Sequence, residues 1–330
     1  MRTLSGLFLV VSALLAQQPQ IENAKLETRP FSGTLESQLR QFGAGPFWAG
    51  YAEPILAGRH GDMCWNNSNG PNDQQHAPGA PVRLEGQTTL VILIRVENSQ
   101  VDQLRVTSAD CLLDAGALPF YWLSGVPPEA SVAWLKTQVT GAHPDRAVLP
   151  IALHAGPAAD RALQDLIAPT QPERVRERTA FWLGSSRGAG GVEVLRRMLA
   201  TDPSPKVREQ VIFALSQSKE PAGLATVMDA AKNDRSPQIR SKALFWLAQK
   251  AAGKQTEDVI KNAVVNDPER SVKEQAVFAL KQLPESEGVP LLIEVAKNNP
   301  DPAVRKKAIF WLGQSKDSRA LDFFAQVLKP

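Results

Sequence analysis

Val175-Arg176-Glu177-Arg178-Thr179-Ala180-Phe181-Trp182-Leu183 is the stretch that decides the fold, because the chain repeats its pattern. It returns as Val207-Arg208 to Phe213-Ala214-Leu215, Ile239-Arg240 to Phe245-Trp246-Leu247, Val272-Lys273 to Phe278-Ala279-Leu280 and Val304-Arg305 to Phe310-Trp311-Leu312. The phenylalanines step by 32, 32, 33 and 32 residues, the length of one helix pair in a repeat protein. In the second copy Val207, Val211, Ala214 and Leu215 fall at i, i+4, i+7 and i+8, and Ile212 and Phe213 widen the apolar surface nearly all round. A helix of that kind is buried on most sides. After Gly223, a second helix carries one stripe, Leu224, Val227, Met228 and Ala231; in the last copy Leu321, Phe324, Ala325 and Leu328 fill the same slots. Each unit exposes too much apolar surface to fold alone, so stacking stabilises it. The expected fold is mainly α: an α-solenoid of five helix pairs over 172–330.

Upstream the period changes. Pro127-Pro128-Glu129 is a helix start, followed by Val132, Leu135 and Val139 at helical spacing, and two more helices are expected at Asp145 to His154 and Ala158 to Ile167. Residues 127–171 read as a helical cap and degenerate first repeat. Residues 17–126 read as a small α+β domain of no recognised type. Leu35, Leu39 and Phe42 mark a short helix ended by Gly43 and Gly45, and Phe47 to Ile55 a strand. Leu56 to Pro81 is a long Gly-, Asn- and Pro-rich loop. The apolar run Leu90-Val91-Ile92-Leu93-Ile94 belongs in a sheet covered on both faces, and it pairs across Glu97-Asn98-Ser99-Gln100 with the strand from Val101 to Val106.

Residues 1–16 have the form of a secretory signal peptide: Arg2, an apolar run from Leu4 to Leu15, and Ala16 before Gln17. Its removal leaves no stable membrane anchor, and the expected location is periplasmic or secreted. The only two cysteines, Cys64 and Cys111, are then expected to form one disulfide. Charge divides unevenly. Residues 1–171 hold 11 Lys and Arg against 15 Asp and Glu, whereas 172–330 hold 26 against 19. That asymmetry steers an acidic partner toward the repeats.

A short phrase precedes four of the five repeats: Asp202-Pro203 before Val207-Arg208, Asp234 before Ile239-Arg240, Asp267-Pro268 before Val272-Lys273 and Asn299-Pro300 before Val304-Arg305. With the 32-residue period, this resembles the short bacterial HEAT repeat, the subtype also seen in phycobilin lyase-like proteins. The resemblance covers nearly half of the chain and implies a right-handed solenoid whose concave face, lined by the second helices, holds a protein. It also implies that Arg208, Arg240, Lys273 and Arg305 each pair with the acidic or amide residue six positions earlier, Asp202, Asp234, Asp267 or Asn299, as an inter-repeat ladder. Arg176 has Thr170 in that slot and is expected to be free for a partner. Trp182, Trp246 and Trp311 recur in every second repeat, with Ala214 and Ala279 between. Alternating large and small residues is core packing, and a row of tryptophans is also a row of docking points.

No chemistry announces itself. His60, Asp62, Cys64 and His76 lie near one another in sequence without zinc-ligand spacing, and no Ser/His/Asp set or phosphate loop stands out. No metal, cofactor or catalytic residue is expected. The function expected is an exported, non-catalytic scaffold that binds a protein. Its rivals are a lyase or chaperone acting on a cofactor-bearing partner, implied by the resemblance alone, and nucleic-acid binding through the basic repeats, which export disfavours.

Overall fold

The structure, a computed structural model, describes residues 19–56, 65–66, 70–71, 89–139, 144–250 and 253–327. The expected signal peptide, Cys64, and the His60, Asp62 and His76 group lie outside the described residues. The chain forms two compact units, Met1–Ala162 and Leu163–Pro330, so the helices after Pro127 count with the sheet, where the sequence drew a boundary at 126.

Unit one runs β1 (Gln20–Glu22), β2 (Lys25–Pro30), α1 (Leu35–Gln41), β3 (Phe47–Pro54), the short β4 (Trp65–Asn66) and β5 (Gly70–Pro71), β6 (Thr89–Glu97), β7 (Gln100–Ser108), β8 (Leu112–Asp114), β9 (Pro119–Ser124), α2 (Pro128–Gln138), α3 (Pro144–Leu153) and the first part of α4 (Pro157–Leu166). Its main sheet has the order β2-β9-β3-β6-β7, with β9 parallel to both β2 and β3 and the β3-β6-β7 meander antiparallel. The β6–β7 turn places Asn98 and Ser99 at φ 52° and 60°, the left-handed pair that a two-residue hairpin of this twist requires.

The continuous apolar run in β6 is covered on both faces, as its composition requires. Leu90, Ile92 and Ile94 lie in register with Glu53, Tyr51 and Ala49 on the face that α2 reaches through Ser131. Val91 and Leu93 join Phe120 and Trp122 on the other, where Ile21, Ala24 and Leu113 close the cluster. Four strands lay beyond the sequence reading here: β1, β2, β8 and β9. β2 is an exposed edge whose one aliphatic residue, Leu26, leaves no alternation to read, and β1 and β8 are three residues each. β4 pairs with β5 inside the stretch read as loop.

Unit two contains the repeats. Its first helices are α5 (Glu173–Ser186), α7 (Pro205–Gln217), α9 (Pro237–Lys250), α11 (Arg270–Gln282) and α13 (Pro302–Leu312); its second helices are α6 (Gly188–Thr201), α8 (Pro221–Asn233), α10 (Lys254–Asn266), α12 (Glu285–Asn298) and α14 (Ser318–Val327). First helices pack on first helices, and each second helix also packs on the first helix that follows it. α7 is buried nearly all round, Val207, Val211, Ile212, Ala214 and Leu215 being fully enclosed, because it touches a neighbour on each side and a second helix beneath.

Two departures matter. In α14 the buried positions are Ala320 and Phe323, while Leu321 is 63% exposed and Phe324 half-buried. The stripe expected from sequence is displaced, because no helix among the described residues covers its outer side. The second departure is a recurring close approach. Gly191, Gly223 and Gly288 each stand against the carbonyl of the leucine that closes the preceding phrase, Leu183, Leu215 and Leu280, where a Cβ would overlap it. The equivalent slots hold Thr256 and Ala320. Thr256 follows Leu247 by nine residues where the glycines follow their leucines by eight, so the one 33-residue step is absorbed in the α9–α10 connection.

Candidate functional site

The basic ladder is real, and its pairing differs from the one expected. Arg176 clasps Asp202 with Nε at 2.9 Å and Nη2 at 3.1 Å; Arg208 Nη2 donates to both oxygens of Asp234 at 2.7 and 2.6 Å; Arg240 repeats the fork on Asp267 at 2.8 and 2.9 Å. The carboxylate therefore comes from the start of the next repeat, 26 or 27 residues later, and not from six residues earlier. What the earlier slot supplies is its backbone: Arg240 Nη1 donates to the Asp234 carbonyl at 2.9 Å and Arg305 Nη1 to the Asn299 carbonyl at 2.8 Å. The reason is reach. The arginine lies on a first helix beside the loop before it, and its fork extends across to the loop entering the neighbouring first helix.

Each acidic residue also holds its own turn. Asp202, Asp234 and Asp267 accept the backbone N–H two residues on, from Ser204, Ser236 and Glu269. Asn299 does the same for Asp301 at 3.0 Å. An amide keeps the turn but cannot form the ion pair, and the residue 26 positions before it, at ladder spacing, is Lys273 instead of arginine. At that junction an outer pair, Arg270 Nε to Asp301 Oδ2 at 2.9 Å, joins the two first helices. Arg176, expected to be free, is 4% exposed and fully engaged. It is a structural residue.

The tryptophans are half-buried on the first-helix layer. Trp246 leans on Phe213 of the preceding repeat, ring centres 4.7 Å apart, and Trp311 on Phe278 at 5.2 Å. Phe181 stacks on Phe213 at 6.0 Å and touches its own neighbour Trp182 at 4.9 Å. Packing accounts for the large ring over the preceding Phe-Ala repeat. It leaves one thing over: the indole N–H of Trp182, Trp246 and Trp311 has no acceptor among the described residues. Beside Trp246 opens a cleft of about 350 Å³ edged by Phe213, Lys206, Lys242, Glu177 and Glu209. On the other layer, α6 and α8 border a cleft of about 600 Å³ lined by Arg196, Thr226, Asp229 and Asn233.

The basic excess is confined to one layer. The five first helices hold 14 Lys and Arg against 4 Asp and Glu, and the five second helices 7 against 8. Three of the 14 are the buried ladder arginines, which still leaves a marked surplus outside.

Unit one holds a buried polar chain that the sequence concealed, since its members are 80 and 23 residues apart. Tyr51 Oη lies 2.9 Å from Ser131 Oγ, which lies 2.8 Å from His154 Nε2. A serine against a histidine has the outline of a nucleophile and base. Ser131, His154 and Tyr51 are all fully buried, however, so the hydroxyl presents no face to a substrate and the chain pins α2 and α3 to the sheet.

Glu53, on the same face of β3, is 2% exposed and its Oε1 has no partner among the described residues. Burial, with Glu129 nearby, pushes its carboxyl up to about 8. The folded state therefore binds this proton more tightly than the unfolded chain, and stability falls as pH rises from about 4.5 to about 8. Glu53→Gln is expected to stabilise the protein at pH 8 by roughly 2 to 4 kcal/mol and to leave it unchanged near pH 4. Denaturant unfolding at the two pH values measures this, and equal stabilisation at both would dismiss the ionisation as the cause.

Among the described residues no helix is long and apolar enough to cross a membrane, and no three His, Cys, Asp or Glu side chains gather as a metal site.

Fold and ladder together define a helix-pair repeat protein whose rungs are locked by arginine forks. Residues 161–248 and 257–330 match the HEAT repeats, and the repeat region belongs to that family. Two solved structures are similar to parts of the chain at low identity. Human deoxyhypusine hydroxylase, in complex with glycerol, is 18% identical over 62% of this chain and 80% of its own, with a TM-score of 0.32. The CpcE–CpcF complex of phycocyanin lyase from Nostoc sp. PCC7120 is 21% identical over 47% of this chain and 99% of the matched one, with a TM-score of 0.35. No curated protein matches the chain.

Proposed function

We propose that the protein is an exported, non-catalytic scaffold that binds another protein through its HEAT repeats. The observation that carries this is where the chemistry-bearing side chains of the repeats go. The arginines and aspartates with the most reactive-looking spacing are spent on buried forks between rungs, and what the array offers outward is two extended helix layers with open clefts. Repeat arrays present such surfaces to other macromolecules. Export rests on the N-terminal sequence, and a Cys64–Cys111 disulfide goes with it: no cysteine among the described residues is a free thiol, Cys111 is 1% exposed, and the chain has one other cysteine.

Crosslinking intact producing cells with a reagent that does not cross the inner membrane tests both parts. The expected result is a discrete conjugate with one protein species. Conjugates formed only after lysis would overturn export, and recovery of the protein alone under both conditions would overturn the scaffold.

A further inference from the structure

The scaffold reading leaves open which layer receives the partner and what that partner presents. Solenoid geometry alone directs attention to the second helices, yet these are charge-balanced, and the surplus of cations lies on the first helices. The distribution along that layer has a period of two repeats. Arg178, Lys242 and Lys307 each stand four residues before a tryptophan, Trp182, Trp246 and Trp311, and so share its helix face. In the intervening repeats Gln210 and Gln275 precede Ala214 and Ala279 at the same spacing. Basic residue and indole thus recur together, and neutral amide and methyl recur together.

Core packing does not call for that coupling. Nor does it call for tryptophan, because phenylalanine would fill the space over Phe213 or Phe278 without an orphaned N–H, a group whose burial without an acceptor costs about 1 to 3 kcal/mol. Three such groups at one slot are a recurring liability. The aromatic surface is also open to solvent: Phe310 is 54% and Ile309 39% exposed on α13, beside Lys306 and Lys307. Cations at the first two junctions are partly neutralised by Lys206–Glu177 and Lys242–Glu209 pairs at 2.9 and 3.1 Å. α11 keeps Glu274 in that slot, whereas α13 has Lys306 there; α5 and α7 each carry a net charge of +1 and α13 carries +3, so the positive field rises toward that end of the layer.

We infer that the first-helix layer is a docking track for an extended acidic segment of a partner polypeptide. Its anchoring residues are apolar and enter beside Trp182, Trp246 and Trp311, while its carboxylates meet Lys242, Lys306 and Lys307. The spacing follows from helix packing. Neighbouring helices lie about 8 to 10 Å apart, so anchors in every second repeat are about 16 to 20 Å apart, and an extended chain at about 3.3 Å per residue covers that in about five or six residues. The ligand pattern is therefore one apolar residue about every six, with acidic residues between. The inference rests on the scaffold reading and deepens it by naming the surface and the chemistry.

The test uses the full chain, with its signal segment removed if the producing cells remove it, and synthetic peptides of three Glu-Glu-Glu-Glu-Glu-Leu units. Binding is read by quenching or shift of tryptophan fluorescence and by calorimetry at two salt concentrations. The expected result is saturable binding that weakens at least tenfold with salt and at least tenfold in Lys242→Glu/Lys306→Glu/Lys307→Glu, a variant checked for native circular dichroism. Trp246→Phe is expected to keep the fold and to lower affinity several-fold. A peptide of the same composition with its leucines clustered at one end should bind at least fivefold more weakly. Equal affinity for the two peptides would overturn the anchored track. So would unchanged binding by the triple charge variant. Preference for single-stranded DNA of equal charge over both peptides would replace an acidic polypeptide with a phosphate backbone. If cell crosslinking yields a partner whose conjugated sites lie on α6, α8 or α10 and the peptides do not bind, the track fails while the scaffold stands.

Discussion

Arg240→Ala should lower the unfolding free energy by about 3 to 5 kcal/mol, the scale on which a buried carboxylate deprived of its partner destabilises a protein. The fork from Arg240 to Asp267 is enclosed on both sides, the two side chains being 8% and 5% exposed, so water cannot replace it. The other member separates two roles. Asp267→Asn keeps the turn bond to the Glu269 N–H and loses the ion pair; Asp267→Ala loses both, and should be the less stable by about 0.5 to 2 kcal/mol. At the fourth junction the ladder positions are held by Lys273 and Asn299, and there the amide donates to the Val264 carbonyl. The double change Arg240→Lys/Asp267→Asn should accordingly cost less than the sum of Arg240→Lys and Asp267→Asn made singly. Denaturant unfolding of the four proteins gives the coupling directly. Strict additivity would mean that the fork does not join the rungs. None of this makes the pair a net source of stability against an apolar core; its contribution is to hold each rung at one register.

The second large effect lies between two adjacent glycines. Gly190→Ala is expected to be neutral or to stabilise by up to about 1 kcal/mol, as alanine does in an open helical position, since nothing lies within 4 Å of its added Cβ. Gly191→Ala, one residue on, drives a methyl into the Leu183 carbonyl, a backbone atom that cannot swing aside. It should destabilise by about 2 to 3 kcal/mol, the range of forced overpacking, and Gly191→Val by more. Thermal unfolding of the three variants decides it, and a common shift for positions 190 and 191 would remove the close approach as the reason for glycine. Thr256 occupies the same slot because its connection is one residue longer, which lets α10 start farther along.

Much of unit two was legible because its information is periodic. A phrase that returns at 32 or 33 residues averages away the ambiguity of any single helix, and the all-round apolarity of α7 reads directly as enclosure. The ladder residues were identified by the same periodicity. Their pairing was not, since a sequence shows that Arg208 has an aspartate six before and another 26 after, and only the lie of the side chain chooses. The glycine slot was there to be found, as Gly191, Gly223 and Gly288 keep the period, and so was the coupling of a basic residue to each tryptophan. Unit one has no repeats to lean on. Its β2 edge exposes five of six residues, and the Tyr51–Ser131–His154 chain joins elements that have no sequence relation.

What the sequence determined by itself was therefore the kind of object this is. Hydrophobic period dictates helix pairs, and repetition of that period dictates stacking, because each unit alone exposes apolar surface that only a neighbour can cover. What only the tertiary structure decided was the assignment of charges to partners and layers. Fourteen of the repeat helices' basic residues lie on first helices, but three are withdrawn into forks with the next repeat, and the rest remain outside. That division depends on which side chain reaches across a packed interface, a distance between residues far apart in the chain.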